Sequence, residues 1–288
     1  MASELFYFAA DLHGRLDRYR KLFDQVRRRP PRYLLLGGDL LPGGSLLAGE
    51  AADRDGFFSD FCLPELSRLK NELAEAFPQI LVILGNDDPR CREAEVSELE
   101  RRSLWRFIHN RRVVAGAYPV YGYGCVPPTP FFLKDWERYD VSRFLDPGTV
   151  APEEGAISQA GSQAAETWPT IQQELEILVD DDDLSQAIML FHAPPYQTNL
   201  DRGALDGKTF DHAPLDVHLG SIAIRRFIES RQPLVTLHGH IHESVRLTGS
   251  WRDRIGRTVL FSAAHDGPEL ALISFDPQNL DAALRQLI

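Results

Sequence analysis

With 288 residues, 43% of them hydrophobic, the chain is long enough to bury a full core as one large domain or a domain plus insertion. Its net charge of −11 and pI near 5.3 argue against a protein that grips nucleic acid by counterion release, which needs a basic surface. Cys62, Cys91 and Cys125 lie far apart with no CxxC spacing, and neither a basic-then-apolar leader nor a run of about 18 apolar residues appears, so a disulfide scaffold, a thiolate zinc cluster and a membrane span are not expected and a cytoplasmic protein is.

In chain order, an apolar run Leu5–Ala10 reads as a strand that delivers Asp11-Leu12-His13-Gly14. A helix follows from about Arg15 to Arg29, with Leu16, Tyr19, Leu22, Phe23 and Val26 on one face and Pro30-Pro31 ending it. Tyr33–Leu36 is a second strand, leading to Gly38-Asp39, so the sheet should begin with parallel strands. Leu41–Gly49 reads as a loop and Gly56–Phe77 as a helix, before strand Ile80–Leu84 brings Gly85-Asn86-Asp87-Asp88 to a strand end. Arg90–Asn110 has the spacing of a surface helix.

From Tyr118 to about residue 165 the alternation fails. Aromatic residues crowd among prolines and glycines, as a flap beside a site or as a surface excursion with its own aromatic cluster. Ile171–Val179 resumes a helix, Asp180–Asp183 is a solvated turn, and strand Ala187–Phe191 sets up His192. Loop Tyr196–Gly220 holds His212 and His218, and Ser221 caps a helix over Ile222–Glu229. Strand Leu234–Leu237 delivers His238-Gly239-His240-Ile241-His242. Val245–Leu247, Val259–Ala263 and Leu270–Phe275 read as closely spaced, antiparallel short strands.

Five blocks of ligand-type residues thus each follow a β-like run. In open α/β sheets the carboxyl ends of the strands share a rim where ligands bind, so residues distant in sequence can converge there. Carboxylate, carboxamide and imidazole together suit a hard or borderline divalent cation. Asp-x-His and His240-x-His242 aim alternate side chains at one point. Asn86 offers an oxygen without adding negative charge, which matters where the substrate is an anion.

This ordered set, D-x-H, G-D, G-N-x-D, a lone H and G-H-x-H, resembles the calcineurin-like metallophosphoesterases over Asp11 to His242. The resemblance implies an α/β protein, a four-layered α/β/β/α sandwich with two mixed sheets spanning residues 1–288. It implies that Asp11, His13, Asp39 and His242 hold one metal, and Asp39, Asn86, His192 and His240 the other. The cations would be manganese first, with iron, zinc or nickel as alternatives. The reaction implied is hydrolysis of a small phosphodiester or pyrophosphate, the two cations activating a bridging water and clamping the phosphoryl oxygens. A phosphomonoesterase or protein phosphatase of this fold, and a non-catalytic scaffold, are the alternatives.

Asp39 and Asn86 are also read as catalytic. So is His238, two residues before His240 and directed to the substrate phosphate, with a buried structural role as its alternative. His109 reads as a surface residue, and His212, His218 and His265 as loop histidines. Many relatives carry G-N-H, whose histidine protonates the leaving oxygen. Asp87 stands there in this chain, as a structural residue or one acting through its neighbours, and Asp88 reads as a turn residue orienting Asn86.

Overall fold

The structure, a computed structural model, describes residues 4–43, 56–159 and 168–288. The expected loop past residue 43 and the end of the irregular segment past residue 159 lie outside it. Strand β1 (Phe6–Ala9) is buried throughout and leads into helix α1 (Leu16–Arg28). That helix buries Tyr19, Leu22, Phe23 and Val26, as its spacing requires, and Arg27 and Arg28 in its last turn oppose the negative end of the dipole. Leu16 is exposed, and Arg18 is buried instead. Strand β2 (Tyr33–Gly37) lies parallel to β1. The next helix opens as a π-helical segment, Phe57–Cys62, continues as α2 (Leu63–Leu73), and tightens to 3₁₀ over Ala74–Ala76. Strand β3 (Gln79–Ile83) extends the parallel sheet.

The single helix expected over Arg90–Asn110 is instead three pieces. A 3₁₀ turn at Arg90–Arg92 precedes α3 (Glu93–Arg101), and the chain reverses at Ser103 into β4 (Arg106–Phe107). Trp105 is the reason. Its indole N–H donates to the Val96 carbonyl at 2.8 Å, folding the apolar Leu104-Trp105 pair back into the core. Strands β5 (Arg111–Ala115) and β6 (Tyr118–Tyr123) form an antiparallel hairpin. The irregular segment therefore starts after Tyr123, because the first six residues read into it are a strand. Aromatic residues on both faces hide its alternation. Val120 faces the other sheet, whereas Tyr121 and Tyr123 face the helices.

Residues 124–159 then pack without regular structure around Trp136, whose indole donates to the Asp88 carbonyl. Thr170 and Gln173 form a capping box for α4 (Ile171–Val179), and β7 (Ile188–Phe191) runs parallel to β6. A small hairpin, β8 (Thr209–Phe210) and β9 (Ala213–Pro214), closes the following loop. Ser221 caps α5 (Ile222–Arg231), and β10 (Val235–His238) runs parallel to β7. Val245–Leu247, expected as a strand, lies within a short helix, α6 (Ser244–Thr248), which Gly249 ends in the left-handed conformation. Strands β11 (Arg252–Ile255), β12 (Thr258–Ser262), β13 (Ala271–Phe275) and β14 (Leu284–Leu287) complete the described chain. Among the described residues no helix is long and apolar enough to cross a membrane.

Among the described residues two six-stranded mixed sheets result, ordered β14-β13-β1-β2-β3-β4 and β11-β12-β10-β7-β6-β5. The expected strands Val259–Ala263 and Leu270–Phe275 are present as β12 and β13 but do not pair with each other. They lie in different sheets, each antiparallel to an unexpected neighbour, β11 and β14, and β12 lies parallel to β10. Phe6, Phe8, Leu35, Ile83, Val120, Leu190, Leu237 and Phe261 fill the space between the sheets. Outer-face residues such as Leu34, Leu36 and Val82 pack with the helices. The architecture is the α/β/β/α sandwich the resemblance implied. Truncating one inter-sheet phenylalanine to alanine typically costs about 3–5 kcal/mol, so the relative placement of the sheets, and of the loops they carry, is held firmly. The parallel runs β1-β2-β3 and β7-β10 send their carboxyl ends toward one rim.

Candidate metal centre

The rim loops are tied to one another by backbone contacts. Asp11 N–H donates to the Gly38 carbonyl at 3.0 Å and His13 N–H to the Asp39 carbonyl at 2.8 Å. His240 N–H donates to the Asp11 carboxylate at 3.0 Å, and Asp87 N–H to the Asp39 carboxylate at 2.9 Å. Asp11, His13, Asp39 and His240 all have φ between 47° and 74°. This left-handed region costs non-glycine residues energy, is most tolerable for Asp, Asn and His, and clusters at functional sites.

These turns bring six of the expected ligands into two groups that share Asp39. Asp11, His13, Asp39 and His242 present ligand atoms within 4.8 Å of one another, as do Asp39, His192 and His240. Asn86 joins the second group, with its Oδ1 3.2 Å from His192 Nε2, which is itself 3.2 Å from Asp39 Oδ2. His13 and His242 meet at 3.2 Å between their Nε2 atoms. Because a carbonyl only accepts, the 2.8 Å contact between His192 Nδ1 and the Gly37 carbonyl places the proton on Nδ1 and aims Nε2 at the cluster.

The donor set fits a pair of divalent cations. Asp11 Oδ2 is buried without a hydrogen-bond partner, a costly state that a cation would relieve. Glycines keep the space open. A Cβ on Gly85 would lie 2.3 Å from Asp39 Oδ1, one on Gly38 2.6 Å from the His192 ring, and one on Gly239 2.7 Å from Asp11 Oδ2. Burial alone would raise the Asp11 and Asp39 carboxyls, but the adjoining histidines hold both below the usual range. Burial alone would lower the histidines. Asp39 nonetheless pushes His192 up to about 10, and Asp11 pushes His242 up to about 9, while His240 falls to about 3. Protons on His192 and His242 thus balance the carboxylates, and cations binding here would displace them.

The family model described as calcineurin-like phosphoesterase matches residues 5–244. The chain belongs to that family. This phosphoesterase also resembles solved structures that cover nearly its whole length. The protein TT1561 of Thermus thermophilus superposes with a TM-score of 0.54 at 16% identity, covering 99% of each chain. A dimetal phosphatase from Danio rerio does so with a TM-score of 0.50 at 15% identity, covering 94% of this chain and 92% of that one. Another solved chain reaches 0.58 at 17% identity over 99% of both. At these identities the likeness is one of fold. No curated protein matches the sequence.

His238 does not join the phosphoesterase cluster. Its Nδ1 lies 2.9 Å from the Ala193 carbonyl and its Nε2 2.7 Å from Thr236 Oγ1, while the ring stacks on Phe191. Burial pushes it down to about 3, so it is a neutral, fully engaged histidine behind the rim. The period-2 alternation explains this. His238 is the last residue of β10 and shares the outward face with Thr236, whereas the chain turns before His240.

His109 is not a surface residue either, since its ring is enclosed by Phe107, Tyr123 and Trp136. His212 is exposed, His218 meets Asp201 at 2.9 Å, and His265 meets Glu269 at 2.9 Å. Asp88 does more than cap a turn. Its buried carboxylate accepts from Gly85, Leu40 and Leu41 N–H at 2.7–3.1 Å, locking the β2 and β3 exits together. Arg18 is a further residue that positions the site, one that the sequence does not single out. Its guanidinium donates to the Asp11 and Gly267 carbonyls at 2.5 Å, holding the first rim loop against the C-terminal strands. Its position four residues before Leu22 on the buried face of α1 was the available signal.

Proposed function

We propose that this phosphoesterase is a binuclear metal-dependent hydrolase acting on phosphodiester or pyrophosphate bonds of small substrates, with Mn²⁺ first among its candidate metals. The observation that carries the reading is Asp39, the one carboxylate common to both ligand groups. Bound cations would stabilise charge on the phosphoryl oxygens and lower the pKa of an attacking water. The chain supplies what makes this selective. Asp11 is aimed by His240 N–H, Asp39 by Asp87 N–H, and His192 by the Gly37 carbonyl. Asp39 and His192 are buried, whereas the side chains of His13, His242 and Asp87 are 21%, 35% and 43% exposed. Substrate would therefore approach over those three residues.

On that open side the chain has Asp87 where many relatives have a proton-donating histidine. Losing a general acid typically costs about 10²–10⁴ in rate. Esters whose leaving groups need no proton should therefore be favoured. Purified protein stripped of metal and titrated with Mn²⁺ should regain hydrolysis of an aryl phosphodiester as it takes up two equivalents, and should cleave the matching alkyl diester at least 10²-fold more slowly. Absence of both bound metal and Mn²⁺-stimulated hydrolysis would overturn the function. Equal aryl and alkyl rates would overturn the leaving-group preference alone.

A further inference from the structure

We infer that Asp87 is a positioning residue whose single carboxylate orients one ligand from each of the two groups, the His13 imidazole and the Asn86 amide. This rests on the two-cation reading above. Asp87 Oδ2 lies 3.5 Å from His13 Nδ1. Asp87 Oδ1 accepts from Asn86 Nδ2 at 3.3 Å. The two contacts use different oxygens, so both can exist at once.

Each contact decides an orientation that the ligand itself leaves free. An imidazole carries its proton on either nitrogen, and the partner of one nitrogen fixes which is left to ligate. His192 has the Gly37 carbonyl for this purpose. The Asp87 carboxylate lies beside His13 Nδ1, at 3.5 Å. Its charge favours the proton there and leaves Nε2 facing Asp39 and His242, at 3.9 and 3.2 Å. An amide likewise can present oxygen or nitrogen. Donating its NH₂ to Asp87 turns Asn86 Oδ1 toward His192 Nε2 at 3.2 Å, the orientation a cation needs.

The backbone of the same residue reaches Asp39 through its N–H, so position 87 touches both groups and their shared member. The acid standing in the place of a histidine is then not a lost function. It trades a proton donor for a brace on the ligands.

Asp87→Ala and Asp87→Asn test this, with affinity for Mn²⁺ read at each site by competition with a chelator. The Asp87 side chain is 43% exposed, and metal-free melting curves of both variants should match the wild type. Asp87→Ala should weaken both sites by about 10–100-fold, the usual cost of losing an outer partner. Asp87→Asn keeps one accepting oxygen and should restore only one of the two. In metal-free protein, ¹⁵N shifts should show His13 protonated at Nδ1 in the wild type and as a tautomer mixture in Asp87→Ala. Titrations of Asp87→Ala that superimpose on the wild type, with unchanged His13 shifts, would overturn the inference. A wild type that binds no cation would instead overturn the function proposed above, leaving the His13 shift to decide the role of Asp87.

Discussion

Two histidines cross from one sheet to the other, and they end in opposite protonation states. His192 leaves β7 of the second sheet and donates to Gly37 at the end of β2 in the first. His109 follows β4 of the first sheet, bridges Gly122 in β6 of the second, and accepts from Gly124 N–H at 3.0 Å. Burial drives both imidazoles toward neutrality. At His192, Asp39 and Asp11 overrule it and push the ring up to about 10. At His109, Arg90, Arg138 and Arg111 reinforce it, and the ring falls to about 3. The difference lies in the sign of the charges packed around each ring, so one seam is built to hold positive charge and the other to exclude it. The first seam gathers the candidate metal ligands, whereas the second packs a neutral ring between the sheets.

Breaking the first seam should have the larger effect. Asp39→Asn keeps an acceptor for Asp87 N–H but removes the charge both groups share. Hydrolysis should fall by more than the 10–100-fold typical of an outer partner, and bound metal should drop below two equivalents by elemental analysis. An Asp39→Asn protein with full metal content would show that the two groups do not depend on a common carboxylate. Removing the cations, which should stop hydrolysis reversibly, should also lower stability. Asp11, His13, Asp39 and Asn86 come from the first sheet, and His192, His240 and His242 from the second, so cations would join them. Free metal at 100 times the dissociation constant adds about 2.7 kcal/mol per site. Chelation should lower the melting temperature by about 10–20 °C with both sites saturated, given about 2–4 °C per kcal/mol for chains of comparable size. An unchanged melting curve would mean that the cations do not join the sheets.

The ligands were legible because a strand exit is a short-range pattern. An apolar run followed by Asp, His, Asn or Gly survives whatever the rest of the chain does, and the order of the blocks carried the family. What was not legible depended on contacts distant in sequence. Trp105 folds back on Val96 and cuts a helix that Arg90–Asn110 alone would continue. Tyr118–Tyr123 reads as irregular because its two faces both meet apolar layers, one sheet and one set of helices, so polar alternation never appears. Proximity in sequence to His240 suggests that His238 belongs to the site. His238 is still on the strand and shares the helix-side face of Thr236, bonded to Ala193 and Thr236, whereas the turn after it redirects His240. Arg18 and Asp88 also bond backbone groups distant in the chain, Gly267 and Leu40, and although the buried face of α1 marks Arg18, nothing near either residue names those partners.

The second seam offers the smallest and most specific test. A histidine at about 3 in the folded state and near 6.5 when unfolded is neutral in both above pH 6.5, where its stabilising neutrality is fully present. Between 6.5 and 3 the unfolded chain takes up a proton that the folded chain refuses. Stability from this residue is therefore lost as pH falls through that window, by up to about 1.4 kcal/mol per pH unit. His109→Asn cannot titrate, and its Oδ1 can replace Nδ1 as acceptor for Gly124 N–H. Comparing the two proteins cancels the opposite drift from Glu137, which burial raises to about 7 despite Lys134, and from Asp88, which burial and Asp39 raise to about 8. Urea midpoints should show the variant less stable than the wild type at pH 8, where it lacks only ring packing. That deficit should shrink by about 2 kcal/mol at pH 5. A deficit constant across the two pH values would mean that His109 binds its proton equally well folded and unfolded. The arginines would then not exclude charge from this seam, and the contrast with His192 would rest on the carboxylates alone.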